Sequence, residues 1–196
     1  MLSFPTWLVT RPTPIPKEIP QTVLADLSEI HLQYQLGAIA SSYGPPAAFI
    51  HLHPSSLHPS QAGDRNEIQF SEIQFSEAET AILKQVFLMA KHLKTSLNKA
   101  AQLGQSCFMT IAHLDGAFGL GESTHFSPIG AGLFGLTKTL SAEWKSVFCR
   151  AVDCNPEMSN EQVIQSVLAE INDPNRCLVE VGRRFQQRTT LTLCSP

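Results

Sequence analysis

The chain is predicted to be a single α/β domain built on a truncated, doubly wound parallel sheet. Three observations carry this. Short apolar, β-branched runs recur at residues 7–10, 47–52, 107–112, 148–153 and 177–181 without polar alternation, as strands covered on both faces require. Helix-period segments with capping signals lie between them. The 196 residues, 43% hydrophobic and 16% charged, suit one globular core and are too few for two ordinary domains.

The elements follow in order. Trp7-Leu8-Val9-Thr10 is the first expected strand. Residues 11–46 are proline-rich and too short for two further strand–helix units, so a shortened front half with one helix around 20–32 is expected. Residues 47–52 form the next strand. Residues 54–76 read as a surface loop insertion, with EIQFS at 67–71 repeated at 72–76 and Phe70 and Phe75 inside the repeat.

Ser76-Glu77-Ala78-Glu79 has the form of a capping box. Behind it Ile82, Leu83, Val86, Phe87, Ala90, Leu93 and Leu97 make one apolar face, and Gly104 is the expected stop. Ser159-Asn160-Glu161-Gln162 is a second capping box. It opens a helix with face Val163, Val167, Leu168 and Ile171, closed at Asp173-Pro174. The β-α-β-α-β order predicts right-handed crossovers in a Rossmann-like sheet.

Composition excludes several classes. A net charge of -3 points away from nucleic acid and anionic membrane surfaces. No apolar run approaches the ~20 residues of a membrane span. Met1 to Leu8 lacks the basic region and apolar core of a signal peptide. Cys107, Cys149, Cys154, Cys177 and Cys194 are odd in number and have no C-x-x-C spacing. Cys107, Cys149 and Cys177 lie in strand-like runs. Buried free thiols of a cytoplasmic protein are the expectation. His51, His53 and His58 read as loop histidines, not as a zinc site, because no further ligand stands at suitable spacing. Asp115-Gly116 reads as a turn. Ser123, Thr124 and His125 are consecutive and do not face one another as a nucleophile–base pair would.

Two stretches, TIAHLDG at 110–116 and FSPIGAGLFGLTKT at 126–139, carry a resemblance. They resemble short-chain dehydrogenases/reductases, whose N-I-S-S-x-x-G strand end is followed, thirteen residues after the second Ser, by Y-x-x-x-K. On that ruler the Ser position is His113, the Tyr position Phe126 and the Lys position Gly130. The resemblance implies that the Tyr protonates a carbonyl while hydride arrives from NAD(P)H. The Lys tunes that Tyr and holds the nicotinamide ribose, and the Ser orients the carbonyl. Phe126 has no proton to give and Gly130 no ammonium, so general acid catalysis loses both its acid and the charge that tunes it.

The family's T-G-x-x-x-G-x-G phosphate turn is likewise absent. Arg11-Pro12-Thr13-Pro14-Ile15-Pro16-Lys17 follows the first strand instead, with no glycine and three prolines, which remove backbone donors.

Residues 130–153, GAGLFGLTKTLSAEWKSVFCRAVD, narrow the resemblance, together with Gly182-Arg183 through Arg188. They are similar to the ketoreductase region of modular synthases that make polyketides and polyunsaturated fatty acids, and in particular to its non-catalytic structural subdomain. That resemblance implies no cofactor bound by this chain, with NADPH held by a partner catalytic half that reduces β-ketoacyl chains on acyl carrier protein. It also implies docking through helices 77–103 and 130–141, with a homodimer expected of the isolated chain. Bulky replacements at Gly132 or Gly135 are expected to loosen that dimer. Two other readings remain open: a self-sufficient divergent reductase using His113 as acid, and a stand-alone scaffold or regulator.

Overall fold

A computed structural model describes residues 20, 22, 24, 26, 28–54, 77–121 and 128–192. The expected first strand, the proline-rich turn, the repeat at 67–76, Ser76, His58, residues 123–126 and Cys194 lie outside these.

The described residues form α1 (Glu29–Tyr43), β1 (Ala48–Leu52), α2 (Glu77–Leu103), β2 (Cys107–Ala112), α3 (Pro128–Glu143), β3 (Phe148–Cys154), α4 (Asn160–Ile171), β4 (Glu180–Arg184) and β5 (Gln187–Thr189). They make one five-stranded sheet in the order β1-β2-β3-β4-β5. The first four strands are parallel and β5 returns antiparallel. Every residue of β2 and β3 is buried, which is why their sequences carry no polar alternation.

Side chains alternate between two covered faces. On one, Phe49, Phe108 and Cys149 pack under α2 and α3, with Val86, Leu93, Leu97, Leu133 and Leu140. Trp144 closes this core, meeting Phe108 edge-on at 5.8 Å. On the other, Cys107, Met109, Ile111, Phe148, Val152 and Cys154 meet Val163, Val167 and Ile171 of α4.

The faces correct one expectation. The strands advance in a single direction, yet α2 and α3 lie on one face and α4 on the other. The β3–α4–β4 crossover is therefore opposite in hand to the two before it, and the crossovers are not uniformly right-handed. Arg150 projects from β3 toward α4 and draws Glu170 of α4 to that side.

Other boundaries also differ. The front helix spans Glu29–Tyr43, not 20–32. Ser28 is its N-cap, accepting from the His31 amide, and Gly44 ends it at φ 86°. β4 starts at Glu180 rather than 177, because residues 173–178 turn to offer carbonyls to Arg150. Cys177 is consequently exposed, not buried. Leu168, expected on the inner face of α4, points outward, 44% exposed. The capping box at Ser159 and Gln162 forms as read.

Candidate functional site

The carboxyl ends of the parallel strands, where ligands bind in such sheets, gather His51 and His53, His113, Asp153 with Asn155, and Gly182 with Arg183. His113 directly follows β2. Burial holds its ring below the usual histidine range, opposed by a hydrogen bond with the Cys154 carbonyl. The neutral ring thus donates its single N–H to backbone, and Nδ1 is buried without a hydrogen-bond partner. A general acid needs a proton aimed at substrate; that of His113 is committed elsewhere.

Gly130 sits in the first turn of α3, which Pro128 opens with the fixed φ favoured there. A Cβ on Gly130 would lie 2.9 Å from Leu114 Cδ2 and 3.2 Å from Ala112 Cβ. Leu114 is itself buried against Phe134 and Ala151. The place of the family's lysine is therefore filled from below, and the described residues do not fit the ribose of a dinucleotide as that lysine would. Phe126 lies outside the described residues.

The loop 113–121 is tied down by two carboxylates: Asp115, read from the sequence as a turn residue, and Asp153, which sequence reading passed over. Asp153, next to last in β3, accepts from the amides of Leu114 at 2.8 Å and Phe118 at 2.7 Å. Asp115 accepts from Ala117 at 2.7 Å, Gly119 at 2.8 Å and Gly121 at 2.7 Å. Asn155 donates to the Asp115 carbonyl at 3.1 Å. Burial pushes the Asp153 carboxyl up to about 6, against the pull of its amide donors. Burial also opposes ionisation of Asp115, but three amides and the Asp153 carboxyl outweigh it, and its pKa falls below the usual value. Asp115 is thus more than a turn residue. An acidic residue near the end of a buried strand, FCRAVDC, was the available signal.

The histidines depart from the loop reading. His51 lies within β1 and His53 is buried just past it, ring centroids 5.9 Å apart. Burial and the neighbouring His53 lower His51 to about 4. Among the described residues no group of three metal-ligating side chains forms.

These shifts set a pH test. His51 has a folded pKa below its unfolded value, so stability is lost as pH falls from 6.5 toward 4; His113 acts in the same direction. Asp153 has a raised folded pKa, so its contribution is present at low pH and lost as pH rises from about 4 to 6. The Asp153 slope thus opposes that of the histidines. Asp153→Asn removes the compensating one. Urea midpoints between pH 4.5 and 7 are expected to fall more steeply with acid in the variant than in the wild type.

The motif at 130–153 is used for packing. The Thr137 hydroxyl meets that of Thr110 at 2.8 Å, and Leu140, Trp144, Val147 and Cys149 fill the core. Arg150 is fully buried and donates to the carbonyls of Leu178 at 3.0 Å and Asn175 at 2.6 Å. It also pairs with Glu170 and Asp173. Arg183 and Arg188 complete the cluster on Glu170.

Comparison with known proteins agrees with this frame. The chain is 31% identical over 118 residues to one component of the polyunsaturated fatty acid synthase of Thraustochytrium sp., covering 57% of this chain and 4% of that protein. No protein-family model matches. A short chain dehydrogenase from Mycobacterium avium superposes with TM-score 0.61 at 14% identity, over 90% of this chain and 66% of that one. An apo SCOR enzyme from Clostridium thermocellum gives 0.52 at 12% identity, over 79% and 68% of the two chains. Pseudomonas aeruginosa RhlG, solved as an NADP active-site complex, gives 0.51 at 16% identity, over 80% and 58%. The chain has the fold of a short-chain dehydrogenase, a truncated Rossmann-like sheet. In sequence it is similar to a small part of a fatty acid synthase component.

Proposed function

We propose that the chain is the non-catalytic structural subdomain of a ketoreductase in a polyketide or polyunsaturated fatty acid synthase. It supports a catalytic half that holds NADPH and reduces β-ketoacyl chains on acyl carrier protein. The observation carrying this reading is Gly130, whose absent side chain is replaced by Leu114 and Ala112. His113, with its N–H on backbone, and Phe126, without a titratable proton, support it. So does the similarity to part of a synthase. A self-sufficient reductase with His113 as acid finds no support in the placement of that ring.

The face offered to the catalytic half is that of α2 and α3, with a second copy of the chain as the other occupant. No helix among the described residues is long and apolar enough to cross a membrane.

Restoring the lost pair tests the reading. Phe126→Tyr with Gly130→Lys is expected to give no NADPH oxidation with a β-ketoester, and measurable turnover contradicts the proposal. Gly130→Lys alone is expected to lower the melting temperature, because overpacking a buried contact of this kind costs about 1–3 kcal/mol.

A further inference from the structure

Among the described residues the two kinds of basic side chain are segregated. Among the described residues every lysine lies on α2 (Lys84, Lys91, Lys94, Lys99), on α3 (Lys138) or just past it (Lys145), and every arginine lies from β3 onward. α2 carries no acidic residue after Glu79. Lys84, Phe87, Lys91 and Lys94 recur at three and four and so share one stripe. Phe87 is 53% exposed in its middle. Beside it Ala131, Gly135, Lys138 and Ala142 form an exposed stripe of α3 at the same spacing. Two lysines are answered, Lys91 by Glu29 and Lys138 by Glu180. Among the described residues, Lys84 and Lys94 have no carboxylate within ion-pair reach.

The glycines divide between the two sides of this helix. Gly132 faces inward, where a Cβ would meet Leu83 Cδ2 at 3.4 Å, and Gly135 faces open space with nothing within 4 Å. Of the two positions expected to govern docking, only Gly135 is on the outer surface.

We infer that the α2–α3 face docks a protein surface that bears carboxylates, in preference to a second copy of the chain. The inference rests on the docking role proposed above and names the chemistry of the partner. An interface about a two-fold axis sets a patch against itself. Lys84 and Lys94 would then meet like charges, which costs affinity and slows encounter. An acidic face answers both lysines. Phe87 supplies the apolar anchor typical of interface centres, and the small residues of α3 admit a helix closely.

The test uses the chain against a charge-reversed copy of itself, Lys84→Glu with Lys94→Glu, which breaks no ion pair. Light scattering and sedimentation at tens of micromolar are expected to give a one-to-one complex of wild type with variant at low salt. That complex weakens roughly tenfold on raising salt to about 0.5 M, as screened charges do. The wild type alone is expected to be monomeric at low salt and to associate more as salt rises. Gly135→Leu or Phe87→Ala in the wild-type partner abolishes the mixed complex without changing its circular dichroism.

Wild-type self-association as tight as the mixture and indifferent to salt overturns the inference, as does absence of any mixed complex. Equal binding of a short DNA duplex to this face also overturns it. None of these outcomes touches the cofactor-free role, which NADPH binding tests separately.

Discussion

Glu170→Gln is expected to lower the unfolding free energy by about 3–5 kcal/mol, the cost of removing one partner from a buried ion pair. Glu170 and Arg150 are both fully buried. Arg188 donates to both Glu170 oxygens at 2.9 Å, and Arg183 binds the same carboxylate. Burial alone would raise the Glu170 pKa, but the guanidiniums of Arg188, Arg183 and Arg150 outweigh it and lower it. The variant leaves Arg150 in the interior with Asp173 as its only carboxylate. That is a large part of the ~5–15 kcal/mol by which a domain of this size is stable.

Arg188→Met should cost far less, because Arg188 is at the rim, 33% exposed, and Glu170 keeps Arg150 and Arg183. Urea unfolding followed by circular dichroism ranks the two; a Glu170→Gln midpoint equal to that of Arg188→Met refutes the ranking. The cluster also fixes an acid limit. The Arg150 hydrogen bond holds Asp173 down at about 2. Stability from Asp173 and Glu170 is therefore present above their ordinary carboxylate values and is lost as pH falls below them.

Gly182→Ala carries the second large effect. A Cβ there would strike the Gly116 carbonyl oxygen and Thr189 Oγ1, with the Gly116 carbonyl carbon at 3.0 Å. From the other side a Cβ on Gly116, at φ 73°, would lie 2.5 Å from the Arg183 oxygen. The loop 113–121 thus runs against β4 backbone to backbone, held by Thr189 Oγ1 donating to the Gly116 carbonyl at 3.1 Å. Backbone cannot swing aside as a side-chain end does, so the cost is expected at about 3 kcal/mol, the upper end of overpacking penalties. Amide exchange should quicken at Leu114 and Phe118 as the loop lifts from Asp153. Gly37→Ala, within α1 and with nothing within 4 Å, should have the opposite sign, stabilising by about 0.5–1 kcal/mol. Equal melting temperatures for Gly182→Ala and wild type would refute the close-approach argument.

The long-period and fully buried elements were legible in the sequence. α2 ends before Gly104, β2 spans the residues expected, and the Ser159 box opens α4, because apolar periodicity and capping act locally. The front helix was misplaced because its start depends on Ser28, a single cap residue among prolines and polar residues that look like loop. β4 was read three residues early because Cys177-Leu178-Val179 are apolar. Arg150, 28 residues before Leu178 and invisible to any local window, holds the Leu178 carbonyl and that of Asn175.

The same limit applies to the site. The residue types at His113 and Gly130 were readable. That Leu114 and Ala112 crowd the place of a side chain on Gly130, and that Asp115 and Asp153 tie the loop, are facts of packing. Residues 110–116 and 130–140 hold strands and helices together, through Thr110, Leu114, Leu133, Thr137 and Leu140.

The most direct test of the central claim is titration of the isolated chain with NADPH, followed by nicotinamide fluorescence and by calorimetry. The cofactor-free structural role predicts no saturable binding up to millimolar NADPH and no shift in melting temperature. Saturable binding in the micromolar range, with a melting temperature that rises with NADPH concentration, would contradict it.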